Sequence, residues 1–511
     1  MSQSSENNKR IAKNTLLLYI RMFFVMAITL FTSRVVLSTL GVVDFGIYNV
    51  VGGVVAMLGV LNGAMSVSTQ RYLTFELGRG NDIRLRQVFS TSLLIFFILS
   101  LVIVVLAETI GLWFLNTQMV IPEERVSAAN WVYQFSILTC ITSLVLNPYN
   151  AVIIAHERMN VYAYVGILEV ALKLGVVYFL LVLPMDRLFS YGCLIFIAHL
   201  IITAIYIIYC LKRFSETRFS FYWEKSLFME LISYSGWNLF GSLSGIVKGQ
   251  GLNILINMFF NPSVNAARGI AYQINNAINQ FFTNFFNAVR PQITKYYAQK
   301  DLENLFKLVF RSSKLSFFLI YVLALPIIIE APYIIQLWLG QLPEYVVPFT
   351  RLIVIITAVD AMANPLMTCI HATGHIKFYQ ALVGTLIILN VPVSYLILKF
   401  TDGSPIIVFE ISLTINVIAL FARVFLVRQQ IKEFPVLEYL KEVIGKSFFV
   451  SILSFFLTYG VVTLLPDNFM RLVIVTFAGI MITLVLFLLI CLNKEEQYIM
   501  IEFVKKRIIK K

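Results

Sequence analysis

Apolar residues run through this chain in stretches close to the length of a membrane-crossing helix, separated by short polar connections. A helix needs about 20 such residues to cross the hydrocarbon core. Read by length, the runs predict fourteen spans, near 14–38, 45–69, 88–113, 130–154, 162–183, 190–211, 229–258, 268–289, 308–330, 346–370, 378–399, 405–427, 445–465 and 470–492. No ten-residue alternation of the kind that builds a membrane barrel is present. The expected fold is therefore an all-α polytopic membrane protein. The N-terminal run follows Lys9, Arg10 and Lys13, has no small-residue cleavage site, and is read as a retained first span.

One run breaks the apolar pattern. QINNAINQFFTNFFN (273–287) holds the amides Gln273, Asn275, Asn276, Asn279, Gln280, Asn284 and Asn287. At 100° per residue these fall on one half of a helix with Thr283. Ile274, Ala277, Ile278, Phe281, Phe282 and Phe285 fill the other half, and Phe286 alone strays into the polar side. Arg268 and Arg290 bracket the polar face, 22 residues or about 33 Å apart along a helix. A half-polar span must turn that half to water or to protein. The amides therefore either line an aqueous cavity, or glue helices together at about 0.6 kcal/mol each. Arginines at both ends of the same face favour the cavity.

Composition fits a membrane protein: 59% of the 511 residues are hydrophobic, and mean hydropathy is +0.83. The net charge of +13 reads as orientation rather than as nucleic-acid binding. With the N-terminus inside, the outer connections carry only Arg125, Arg187, Arg268, Arg351, Lys399 and Arg471, which predicts both termini cytoplasmic. The five cysteines lie inside apolar runs without metal or redox spacing. VLEYLKEVIGK (436–446) and the tail EEQYIMIEFVKKRIIKK are expected to lie on the anionic inner leaflet.

An internal repeat organises the spans. LNPYNAVIIAHERMNVYAY (146–164) aligns with ANPLMTCIHATGHIKFYQA (363–381) at a shift of 217, placing Asn147–Pro148 on Asn364–Pro365 and Tyr162 on Tyr379. The shift covers six spans, so the repeat is parallel. The expected domains are two six-helix lobes, 1–215 and 216–430, with two extra C-terminal helices and a basic cytoplasmic tail in 431–511. Repeated lobes of this kind are typical of transporters.

Charges inside spans cost ~2.5–3.5 kcal/mol each on insertion scales and need a reason. Glu169 and Lys173 stand i,i+4 and neutralise one another; Arg34 snorkels outward. Arg21 and Lys248 have no local partner and suit an anionic substrate. Asp360 and Glu410 either bind a coupling Na⁺ or H⁺ or pair with those cations. His371 and His375 sit in a loop around Gly374 and are not read as a metal site. EER (123–125) is read as a solvated turn. No glycine-rich nucleotide loop is present.

The stretch 33–81, with its Leu40, Gly41, Asp44, Phe45, Gly46, Ile47, Tyr48 turn and the basic Arg71 and Arg79, resembles the bacterial polysaccharide (O-antigen type) flippases of the multidrug/oligosaccharidyl-lipid/polysaccharide exporter superfamily. RGIAYQINNAI (268–278) and VRPQITKYYA (289–298) repeat the pattern loosely. The resemblance implies an inner-membrane flippase, active as a monomer beside polysaccharide polymerase machinery. It would move undecaprenyl-diphosphate-linked oligosaccharides for lipopolysaccharide-type surface glycans, with no cofactor beyond a coupling Na⁺ or H⁺. On this reading Arg21, Lys248, Arg268, Gln273, Asn276, Gln280, Asn287 and Arg290 bind substrate, the cations at the diphosphate and the amides at the sugars. The resemblance also implies that the last two helices hold the lipid tail. Two other classes compete. A cation-extruding multidrug transporter of the same superfamily is kept open by Asp360. A membrane glycan polymerase is disfavoured by the short outer loops.

Overall fold

The computed structural model describes residues 3–117, 121–260, 262–340, 342–401 and 403–492, and these form helices joined by short connections, with no strand among them. The helices are α1 (Gln3–Arg79), α2 (Asp82–Thr117), α3 (Val126–Ala155), α4 (Met159–Val182), α5 (Arg187–Arg213), α6 (Lys225–Phe259), α7 (Pro262–Ala298), α8 (Leu302–Leu339), α9 (Val346–Thr373), α10 (Lys377–Phe400), α11 (Ile407–Gln430), α12 (Val436–Thr463) and α13 (Phe469–Cys491). Eleven of them, α2 to α6 and α8 to α13, are long and apolar enough to cross a membrane. The predicted fourteen are completed by the two arms of α1 and by α7, whose amides lower its hydropathy. The protein is a multi-pass membrane protein.

Gly41 divides α1. Its φ of 80° and ψ of 167° lie in a region open only to glycine. The chain reverses there. Asn14 donates to the Glu157 carbonyl (3.3 Å) at one end of α4, and Arg187 donates to the Thr39 carbonyl (3.0 Å) at the other. Tyr72, late in the second arm, reaches Glu230 near the start of α6 (2.9 Å). Polar caps start the later helices: Asn81, Asp186, Asp301 and Asn468 each accept a backbone N–H from the first turn.

The repeat is visible in the helix ends. The shift of 217 carries Arg213, which ends α5, onto Gln430, which ends α11. It carries Ala155 to within one residue of the end of α9, and Met159 to within one of the start of α10. Pro148 and Pro365 sit inside α3 and α9, each removing one ladder bond at the same place.

Two compact units emerge: Met1–Ser242 with Thr294–Lys300, and Leu243–Ile293 with Asp301–Lys511. The division falls inside α6, not in the 216–225 connection, because Tyr72 and Ser68 hold the start of α6 in the first unit. Helices α12 and α13 belong to the second unit and pack on α8. Tyr321 donates to the Ser451 carbonyl (2.7 Å), buried Lys314 to the Cys491 carbonyl (2.8 Å), and Arg471 pairs with buried Glu330 (2.9 Å).

Three local expectations need correction. Arg125 of EER is no solvated turn residue: its guanidinium bonds both buried Asp44 and the cap Asp186, tying the Gly41 reversal to α3 and α5. The 436–446 segment is not held by its apolar face alone: Val443 and Tyr439 are buried in the protein, with Tyr439 donating to Ser313 (3.0 Å), while Leu437 is exposed. His371 belongs to α9 rather than to the loop, with its ring against Tyr379; Gly374 ends the helix at φ 84°. The Arg34 side chain and the 493–511 tail lie outside the described residues.

Candidate functional site

Helix α7 keeps the two faces its sequence predicts. Ile278, Phe282 and Phe286 are buried against Ile320, Ala324, Val354, Ala358 and Ala361 of α8 and α9. Gln273, Asn276, Gln280 and Thr283 are exposed, and Asn287 is half-buried. One amide acts as interhelical glue: Asn275 is buried and accepts a short bond from Thr357. Gln273, Asn276, Gln280 and Asn287 make no side-chain hydrogen bond to another helix among the described residues. Phe286, which the wheel leaves on the polar side, is buried and stacks on Phe282.

The predicted cations fall into separate settings. Arg268 is committed to α6: it donates to the Gly249 carbonyl (2.7 Å) and lies over the Tyr272 ring (4.5 Å). Arg290, near the other end of the amide face, lies over Phe286 (5.5 Å). Arg21 sits over Tyr162 (4.5 Å) in the first unit. It occupies space that Gly166 leaves open, where a Cβ would stand 2.1 Å from its Nε. Glu169 and Lys173 pair directly (2.7 Å), as their spacing predicts. Glu410 is exposed in the first turn of α11.

Lys248 and Asp360 come together, and with them a residue the sequence reading passed over. A cavity of about 310 Å³ in the second unit is lined by Gly245 and Lys248 of α6, Asp360, Ala363, Asn364 and Met367 of α9, Ile387 of α10, and Asn416 and Arg423 of α11. Arg423 falls inside the predicted 405–427 span but is not among the span charges weighed from the sequence. It is 8% exposed and approaches the Tyr379 hydroxyl (3.5 Å). Its seven-residue spacing from Asn416, one helix face, is the signal that would have placed it inside. No charged pair among Lys248, Asp360 and Arg423 is in salt-bridge contact, so the three charges share the cavity without closing it. The first unit holds a cavity of about 300 Å³ with a different lining, in which Tyr48, Asn62, Ser136, Thr139 and Ser143 supply hydroxyls and an amide and no charge. Among the described residues no cluster of three His, Cys, Asp or Glu side chains stands ready for a metal.

This architecture is the fold of the MATE transporters. The chain is similar to an outward-facing multidrug resistance MATE family transporter of the MOP superfamily, with TM-score 0.70 and 14% identity over 85% of this chain and 99% of that one. It is similar to MATE in the straight conformation (TM-score 0.70, 15% identity, 85% and 99% covered). A third likeness is to a MOP superfamily transporter from Pyrococcus furiosus, for which a binding pocket of reverse polarity is described as suggesting a different function (TM-score 0.69, 14% identity, 85% and 99% covered). At these identities the likeness is one of fold. No family model and no curated protein matches the chain.

Proposed function

We propose that this protein is a flippase for undecaprenyl-diphosphate-linked oligosaccharides. It would carry them from the inner to the outer leaflet of the bacterial inner membrane by alternating access, with both termini cytoplasmic. The observation that carries the reading is the face of α7: Gln273, Asn276 and Gln280 are exposed on a membrane-length helix whose other face is buried. Exposed amides offer both donors and acceptors, which is what sugar hydroxyls require. Arg21 and Arg290 are the candidates for the diphosphate, each resting on an aromatic ring. Arg268, tied to Gly249, serves to hold α7 on α6. The cargo would pass to polysaccharide polymerase machinery, and the flippase would act as a monomer.

The efflux alternative rests on the carboxylate Asp360 in a MATE fold. Two cations line the same cavity as that carboxylate, which disfavours a bound Na⁺. Complementation of a strain lacking its polysaccharide flippase tests the reading. Surface glycan should return, and should be lost again with Arg290→Ala while the protein remains inserted. Raised resistance to cationic drugs without glycan, abolished by Asp360→Asn, would move the protein to the efflux class.

A further inference from the structure

We propose that the second-unit cavity is a subsite for one carboxylate-bearing sugar ring of the cargo, so that the flippase handles acidic glycans; this rests on the flippase reading above. Charge comes first. Lys248 and Arg423 bring two positive charges and Asp360 one negative, with no direct pair among them. A net positive charge in a partly buried cavity favours one more anion. Arg423 lines the cavity and is 8% exposed, so its guanidinium charge stands at the wall with little water to offset it.

The amides then narrow the ligand. Asn364 turns its NH₂ back to the Asp360 carbonyl (2.7 Å), and Asn416 turns its NH₂ back to the Ser412 carbonyl (2.8 Å). Their side-chain oxygens are left as acceptors, as is the Asp360 carboxylate. A bare halide satisfies the cations and leaves the acceptors unmet. A hydroxylated monocarboxylate satisfies both, its carboxylate on Lys248 and Arg423 and its hydroxyls on Asn364, Asn416 and Asp360. Met367 and Ile387 supply an apolar wall for the C–H face of a ring. A volume of about 310 Å³ is at the small end for ligand pockets, which suits one ring rather than a chain.

The counterpart place in the first unit sharpens the assignment. A shift of 217 carries Ser143 onto Asp360, Asn147 onto Asn364 and His199 onto Asn416. There the polar groups satisfy one another: Ser143 bonds His199 (3.0 Å) and Asn147 bonds Asn62. In the second unit their counterparts are held apart around open volume.

The test uses the purified full-length protein in detergent and follows its melting midpoint. Sodium glucuronate, glucose and sodium chloride are titrated at matched ionic strength. Glucuronate should raise the midpoint saturably, and glucose and chloride should not. Arg423→Gln and Lys248→Gln should each weaken the glucuronate response by about tenfold, the order expected for one lost bond between charged groups. Arg423→Lys should retain part of it, and Ser143→Ala all of it. An equal response to chloride would reduce the cavity to a counter-ion site. An equal response to glucose, or a glucuronate response unchanged in both Gln variants, would overturn the assignment. A glucuronate response that needs Arg423 in a protein that fails to restore glycan would leave an acidic-sugar site standing and remove the flippase reading alone.

Discussion

The two cavities differ in chemistry far more than in size. Both lie in six-helix repeats whose helix ends match at a shift of 217, and their volumes are about 300 and 310 Å³. The first is lined by hydroxyls, an amide and aromatic rings, the second by two cations and a carboxylate. A cation beside a tyrosine survives in both, by different routes. In the first unit Arg21 of α1 lies over Tyr162; in the second Arg423 of α11 approaches Tyr379, the residue onto which Tyr162 repeats. The position that repeats as Arg423 is Tyr206, buried and within electrostatic reach of Arg21 and Tyr162. Helix ends match and each unit sets a cation beside the corresponding tyrosine, but the cation comes from α1 in one and from α11 in the other. The charged cavity lining belongs to the second unit alone of these two.

That asymmetry can be broken most directly at Arg423. Arg423→Gln should lower glycan export by about tenfold or more, as expected when a charged hydrogen-bonding group is lost. Tyr206→Phe, at the repeat position, should leave export within about twofold, since it removes only a hydroxyl. Equal losses would mean that the two repeats share the work. A second contrast lies in the turns. The first repeat reverses at Gly41 alone, whereas its counterpart lies where α6 gives way to α7. No atom would meet a Cβ at Gly41, so Gly41→Ala should cost only backbone strain, about 1–3 kcal/mol, read as a lower melting midpoint.

The amide face offers a third comparison. The second arm of α1 repeats as α7, yet its run FGIYNVVGGVVAMLGVLNG is apolar and glycine-rich where α7 carries amides. Cysteines at Asn276 and Gln280 should react with aqueous thiol reagents, and Ile278→Cys should not. Reaction at Ile278 with silence at the other two would invert the helix. The smallest effect concerns the connection between repeats. Bonds from Arg84, Ser226 and Tyr222 hold the partly exposed Glu224 carboxyl down to about 2. Its contribution is present above the ordinary glutamate value of about 4.3 and is lost as pH falls from there toward 2. Glu224→Gln should flatten the melting midpoint across that window by a small amount, because the group is solvated.

The span count, the Gly41 turn and the two faces of α7 were legible in the sequence because a membrane enforces length and polarity on every helix. Exceptions arose where a neighbour decides the outcome. Phe286 is buried by Phe282 and α8, and Asn275 by Thr357, and neither partner is visible from a helical wheel. Arg423 lies inside the 405–427 run, and its approach to Tyr379 and its place on a cavity wall depend on neighbouring helices that hydropathy does not show. Tyr439 and Val443 show the same limit: an amphipathic segment declares that it has an apolar face, and not whether lipid or protein covers it.

The most direct measurement reconstitutes the purified protein in liposomes holding a fluorescent undecaprenyl-diphosphate oligosaccharide and follows the loss of signal to a membrane-impermeant quencher. Under a proton or a Na⁺ gradient, lipid-linked sugar should cross between leaflets faster than in protein-free liposomes, and Arg290→Ala should abolish the difference. No crossing above the protein-free rate, in liposomes where the same protein moves a cationic dye, would contradict the flippase account.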